Sequence, residues 1–336
     1  MTTGIILAAI GGALSYALTG VVRSYALRHD LLDRPNDRSS HDAPTPRGGG
    51  IAMIAATLAC IAIGVVLGLV NARDALILGI GMFLVGAIGW LDDRRGLRAD
   101  VRLGVHFAVA LWTLYMFRGL PAVRVGTASL SIGGAGYVLG ALGIVWSINL
   151  FNFMDGIDGL AGSQAALIFA STALLLFSRG DDSLGTIALV LASASAGFLV
   201  WNWPPAKIFL GDSGSGAIGY AVASLAVASE NHGSVPLIVV AIICGVFISD
   251  ATVTLLRRIG RGNRPTEAHR DHAYQRLARA WGSHRSVSWR AAAVTALLAA
   301  LGAVGTLVPR LVLPAVLVAL LLLSSLLLAT ERRTPM

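Results

Sequence analysis

The chain has 336 residues, of which 55% are hydrophobic and 13% charged, and its mean hydropathy is +0.73. Soluble domains carry about 25% charged residues, so this composition excludes a soluble globular protein, and 1–336 reads as a single integral membrane domain. The net charge of +8 and the pI near 10.3 would suggest nucleic acid in a soluble chain. No basic motif with interleaved aromatics is present, however, so nucleic acid is excluded as a partner and the arginines read as topology signals and contacts to anionic lipid or substrate.

A membrane span needs about 20 apolar residues. Residues 5–22 are apolar with no Lys or Arg ahead of them and Arg23 and Arg28 behind. That is the reverse of a secretory signal peptide, so a retained first span with its N-terminus outside is expected. Spans are expected at 3–22, 49–70, 75–91, 101–118, 135–151, 159–178, 184–201, 215–229, 235–256, 289–308 and 311–329. The fold class is therefore all-α, a polytopic membrane protein with about eleven transmembrane helices, N-terminus outside and C-terminus inside. This orientation places 21 of the 26 Lys and Arg residues in the cytoplasm, as the positive-inside rule requires. The 39 glycines fit close helix packing. Cys60 and Cys244 lie in apolar stretches without Cys or His at metal-ligand spacing and read as buried small residues.

Acidic, amide and histidine residues gather at the ends assigned to the cytoplasm. The first loop, residues 33–50, is ordered by Pro and Gly. Its Arg38, His41 and Arg47 are candidate phosphate contacts, with a generic basic loop as the plainer reading. Asp92 and Asp93 end the third span. Adjacent carboxylates repel, so at least one is expected to meet a cation or share a proton. A negative pair at a helix C-terminus also opposes the dipole, which favours a Mg²⁺ ligand or a base over a solvated end paired with Arg94 or Arg95.

The fifth span closes on Asn149, Asn152, Asp155 and Asp158. Asn149 and Asn152 share a helical face, the Asp155-Gly156 and Asp158-Gly159 pairs read as a turn, and Asp158 alone reads equally as an N-cap. Two amides and two acids with no basic residue between Trp146 and Arg179 point to a cation or to the polar groups of a sugar nucleotide. Lys207 leads into Gly211-Asp-Ser-Gly-Ser215, which suits an anion at a helix N-terminus or an acid, Asp212, holding a metal. An Asp or Ser N-cap is the plainer reading. His269 and His272 lie in a cytoplasmic loop at 257–288. There Tyr274, Leu277 and Trp281 share a face beside Arg270, Arg276 and Arg279, so an amphipathic interfacial helix is expected, and the histidines with Arg264 suit a diphosphate.

Taken in order, six motifs resemble the polyprenyl-phosphate N-acetylhexosamine-1-phosphate transferase superfamily, glycosyltransferase family 4. They are Asp-x-Pro-Asn-x-Arg-x-x-His at 33–41, Pro-Thr-Pro-Arg-Gly-Gly at 44–49, Asp92-Asp93, Asn149–Gly159, Gly211–Ser215 and His269-x-x-His272. The resemblance implies a reaction at the cytoplasmic face of a bacterial inner membrane, dependent on Mg²⁺ with Mn²⁺ as the alternative ion. Undecaprenyl phosphate would attack the β-phosphate of UDP-GlcNAc, UDP-FucNAc or UDP-QuiNAc, releasing UMP and starting an O-antigen or other envelope glycan. By the same resemblance Asp212 with Asn152 would ligate the metal, and Asp92 and Asp93 would be catalytic. His269, His272 and Arg270 would contact the diphosphate. Asn149, Asp155, Asp158, Lys207, Arg38, His41 and Arg47 would contact substrate, as would Arg102, which stands where relatives often carry a basic residue. A homodimer is allowed. The spelling His-Arg-Asp-His, where the muramoyl-pentapeptide translocase branch has adjacent histidines, favours the O-antigen-initiating subgroup. Transfer of a phospho-N-acetylmuramoyl pentapeptide is the alternative, and a transporter is a more distant one.

Overall fold

The computed structural model describes residues 2–34, 43–263 and 269–336. Thirteen α-helices dominate the described residues: α1 (Thr2–Arg28), α2 (Gly49–Val66), α3 (Ala72–Arg95), α4 (Ala99–Phe117), α5 (Ala135–Phe153), α6 (Leu160–Ser178), α7 (Asp182–Asn202), α8 (Gly211–Asn231), α9 (Leu237–Ile243), α10 (Gly245–Gly260), α11 (Ala273–Trp281), α12 (His284–Leu307) and α13 (Val312–Arg333). Eight are long and apolar enough to cross a membrane, and a ninth span forms if α9 and α10, bent by 79° at Cys244, are taken together. The long helices α4 and α8 fill the remaining expected windows but fall short in apolarity. In α4 the cause is Asp100, Arg102 and His106; in α8 it is the density of Gly and Ser.

That composition suits the place α8 occupies. It packs against α2 to α7 and against α9, and all but three of its 21 residues are buried, Asp212 being one of the exceptions. Lipid tails are as apolar as leucine, so close backbone packing, not hydrophobicity, holds such a centre together. Gly50 of α2 shows how close: a Cβ built there would stand 2.2 Å from the Gly214 Cα. The outer helices do the reverse. Only about a quarter of the apolar stretches of α1, α12 and α13 is buried within the protein (28%, 28% and 22%), which leaves them to face lipid.

Charge is sorted to the two ends. At one end Arg47 meets Asp93, Arg102 meets Asp92, and Arg257 and Arg276 meet Glu331. At the other, Arg124 meets Glu230, and His232 bridges Asp181 and Asp74. Hydrogen bonds that His232 donates to Asp181 and then to Asp74 raise its imidazole to about 10, so this clasp joining the ends of α3, α7 and α8 carries a proton at neutral pH. Two small antiparallel pairs complete the fold. Strands β1 (Leu32–Asp33) and β2 (Thr45–Pro46) close the first loop, and β3 (Ala122–Val125) and β4 (Ala128–Ser131) form an outer hairpin. This hairpin lies between the expected spans 101–118 and 135–151, and Val123 and Val125 around Arg124, followed by Gly126, are its signal in the sequence.

Candidate active site

The first turn of α8 is the hub of the site. Its free backbone N–H groups are met from outside the helix: Asp93, on the last turn of α3, accepts from the N–H of Asp212 (3.1 Å) and of Ser213 (3.3 Å). The N-cap expected of Asp212 or Ser213 is thus supplied by Asp93, which leaves Asp212 free to face outward. Arg47 stands 3.5 Å from Asp93 and 2.6 Å from Asp33. It is held there because the first loop is sewn to the segment before α8: Phe209 N–H donates to Pro46 O (2.8 Å), and Gly49 N–H to Phe209 O (2.9 Å).

Asp92 is engaged as well. It accepts from the N–H of Leu97 (2.6 Å) and binds Arg102 of α4, whose guanidinium also reaches Asp212 at 3.3 Å. Of the three side chains Asp212 is the open one, at 33% exposure against 9% for Asp92 and 6% for Asp93. Asn152 approaches from α5, donating to Ser215 Oγ of α8 at 3.3 Å. Asp155 follows in the turn after α5. Burial, then the charges of Asp212, Asp93 and Asp158, push its carboxyl well above the usual range against a partial offset from Arg47. A carboxyl in that setting is poised to gain a cation.

The histidines are positioned by a second carboxylate, which caps a second helix. Asp250 of α10 accepts from Ala273 N–H (2.8 Å) and Tyr274 N–H (2.9 Å) at the start of α11, from the Thr254 hydroxyl (3.1 Å), and from His272 Nδ1 (3.3 Å). This fixes the His272 tautomer and leaves Nε2 for the cleft. His269 lies beside it, ring centroids 4.9 Å apart. Burial, with the charges of His272 and Arg258, lowers the His269 imidazole to about 4, so it is neutral at neutral pH. Asp250 falls inside the expected 235–256 span, where its largely apolar sequence neighbours give little sign of its partners. Its signal was its position four residues before Thr254 on the face that meets the His272 loop.

Asp250→Asn should lower kcat/KM roughly 10–100-fold, the usual cost of losing a residue that orients a functional imidazole. The same change made in a His272→Ala background should cost little more. Additive losses in this double-mutant cycle would refute the coupling.

A cleft of about 690 Å³ brings Arg102 and Asn152 together with the two histidines. Leu103, Leu142, Val145 and Leu255 form its apolar end. Arg102, Asn149, Asn152, His269 and His272 form its polar end. A neighbouring cleft, also about 690 Å³, shares Gln275 with it and presents Phe209, Arg270, Arg279 and His284. Asp158 sits at the edge of this second cleft, and its carboxylate accepts from Ala206 N–H (3.0 Å) and lies 3.5 Å from His284. It ties loops together and does not cap α6, whose N-cap is Gly159. Lys207 is not brought to either cleft: it is exposed, with Nζ 5.7 Å from the Trp201 ring centroid. Arg38, His41 and Arg264 fall outside the described residues. Arg276, one of the basic residues of the expected interfacial helix, is buried and pairs with Glu331 at 3.0 Å. Cys60 and Cys244 are buried free thiols, as expected.

Fold and site together define a multi-pass membrane protein with carboxylates, arginines and histidines gathered where one end of the helix bundle meets an apolar cleft. The family model for glycosyl transferase family 4 matches residues 75–230. A probable undecaprenyl-phosphate N-acetylglucosaminyl 1-phosphate transferase of Bacillus subtilis is 30% identical over 80% of this chain and 75% of its own. A decaprenyl-phosphate N-acetylglucosaminephosphotransferase of Mycolicibacterium smegmatis is 31% identical over 81% and 74%. The Escherichia coli K12 undecaprenyl-phosphate alpha-N-acetylglucosaminyl 1-phosphate transferase is 27% identical over 83% and 78%. The chain belongs to glycosyl transferase family 4.

Proposed function

We propose that this protein transfers an N-acetylhexosamine 1-phosphate from a UDP-sugar to a polyprenyl phosphate at the cytoplasmic face of a bacterial inner membrane. The observation that carries the reading is the two-ended cleft: an apolar wall leads directly to arginine, amides and two histidines. That arrangement suits a lipid whose chain stays in the bilayer while its phosphate is presented to a polar donor. The second cleft offers an aromatic ring and arginines to the nucleotide. In the reaction an oxygen of the lipid phosphate bonds to the β-phosphorus. The bond from that phosphorus to the bridging oxygen breaks, and UMP leaves with the electron pair.

Phosphoryl transfer of this kind needs positioning and charge neutralisation more than covalent help. Arg102 and Arg47 supply cationic charge beside the carboxylates, and His272 presents Nε2 while Asp250 holds its other nitrogen. A phosphate monoester has its second ionisation near 6, so the acceptor reaches the site already charged and needs no strong base. Asp92 and Asp93, both engaged in hydrogen bonds, then act by holding Arg102 and the start of α8.

The donor set suits a hard divalent ion. Asp92 and Asp212 already converge on one cation, the Arg102 guanidinium, and Asn152 adds an amide on the adjacent face. Among the described residues no three carboxylate or imidazole groups converge tightly enough to enclose a metal. Mg²⁺ characteristically takes one or two carboxylates and completes its shell with water and substrate phosphates, so Asp212, with Asn152 or Asp155, would hold it. Bound there, the ion would polarise the diphosphate and stabilise the departing UMP.

The test is UMP release by purified protein with Mg²⁺ and undecaprenyl or decaprenyl phosphate, across UDP-GlcNAc, UDP-FucNAc, UDP-QuiNAc and the UDP-muramoyl pentapeptide. UDP-GlcNAc heads the panel because the relatives are named for it. Release from a hexosamine donor, lost in EDTA and restored by Mg²⁺, is expected. Release from none of them by folded protein would overturn the reading. Release from the muramoyl donor alone would replace the substrate.

A further inference from the structure

On the far side of α10 and α11 lies a slot of about 310 Å³ that the reaction above does not use. Its walls are two helix stripes. Val287, Ala291 and Val294 recur along one face of α12, and Leu323, Leu326 and Leu327 along the facing side of α13. Each stripe carries an arginine toward the end nearer the active site, Arg290 between Val287 and Ala291 on α12 and Arg333 past Leu327 on α13. Both are exposed, and the Arg290 guanidinium lies 4.0 Å from the Trp281 ring centroid. The acid nearest in sequence, Glu331, is engaged by Arg257 (2.8 Å) and Arg276 (3.0 Å), so it does not neutralise the mouth.

Depth identifies the occupant. From Leu323 to Arg333 the helix rises roughly 15 Å, half of the ~30 Å hydrocarbon core of a bilayer. The slot therefore runs the height of one leaflet, apolar along most of its wall, and opens where headgroups lie. We propose that it is a binding site for one anionic membrane phospholipid, an acyl chain between α12 and α13 and the phosphate between Arg290 and Arg333. Cationic side chains at that depth favour anionic headgroups over zwitterionic ones. The occupant is a bilayer lipid and not the polyprenyl acceptor, because α10 and α11 wall the slot from the carboxylate cluster. The floor of that wall is the Asp250 carboxylate, already bonded to His272 and the start of α11.

The test is native mass spectrometry of delipidated protein in uncharged detergent, titrated with phosphatidylglycerol, phosphatidylcholine or undecaprenyl phosphate. One phosphatidylglycerol per chain should be retained about tenfold more tightly than phosphatidylcholine, as expected for two cationic groups at an anionic headgroup. The Arg290→Ala/Arg333→Ala double variant should lose that preference. Ala291→Phe, which fills the slot with both arginines intact, should displace the lipid. Undiminished UMP release in detergent would show each variant folded. Equal binding of the two phospholipids, retention of phosphatidylglycerol by either variant, or undecaprenyl phosphate as the lipid lost from the double variant would each overturn the proposal.

Discussion

Asp212→Asn should reduce UMP release by on the order of 10³-fold or more while leaving the protein folded, monodisperse in detergent and unchanged in thermal unfolding. The size follows from what the carboxylate does. It is the open acid of the cluster, it shares Arg102 with Asp92, and its charge helps to raise Asp155. Removing one preorganised electrostatic group from a transfer site costs about 10²–10³ in kcat, and the loss of the proposed Mg²⁺ ligand would add to it. The fold should survive because the bond made by the Asp212 main chain, its N–H to Asp93, does not involve the altered side chain. Asp93→Asn should behave differently. An amide in place of that carboxylate turns NH₂ toward an N–H donor of α8, so activity and stability should fall together, the latter by about 1–3 kcal/mol. An Asp212→Asn enzyme with wild-type turnover would remove this residue from the mechanism.

Gly89→Ala should cost roughly 10²-fold in kcat without touching a single chemical group. A Cβ at Gly89 would stand 2.5 Å from Asp212 O, 2.6 Å from Asp212 C and 2.6 Å from Ser213 N. All three are backbone atoms at the start of α8, and backbone cannot rotate aside. The methyl group must push α3 from α8 at the point where Asp93 holds the helix and Asp92 shares Arg102. A displacement of about 1 Å at a positioned site is worth about 10²-fold, and overpacking costs a further 1–3 kcal/mol or so of stability. Gly79→Ala is the control, on the same helix but meeting only Leu58 Cδ2 at an ordinary 3.5 Å. It should leave both turnover and melting near wild type. Equal behaviour of the two variants would mean that the approach of α3 to α8 does not set the geometry.

Much of this was legible in the chain because hydropathy and charge are one-dimensional signals. The span windows, the sorting of arginines to one end and the convergence of Asp92, Asp93, Asn152, Asp212 and His272 all follow from counting along the sequence. What was not legible depends on pairing between distant segments. Asp93 looked like a base or metal ligand, and only the packing of α3 on α8 shows that its oxygens meet two main-chain N–H groups. Asp158 looked like a cap for the helix after it, but its carboxylate reaches Ala206, 48 residues away. Lys207 shares a motif with Asp212, yet the turn between them sends it to Trp201. Asp250 and His272 lie 22 residues apart, across a stretch with no shared periodicity.

The low apolarity of α8 has a consequence for how the protein is made. A segment this rich in Gly and Ser, with Asp212 at its head, gains little by partitioning into lipid on its own, and α4, with its arginine and histidine, is in the same position. Both must therefore be held at the translocon, or returned to it, until enough neighbouring helices are present to enclose them. Biogenesis is then ordered by the same glycine contacts that set the reaction geometry. A nascent chain that stalls before its later helices exposes the helix that carries the chemistry, which makes it a ready substrate for membrane quality control.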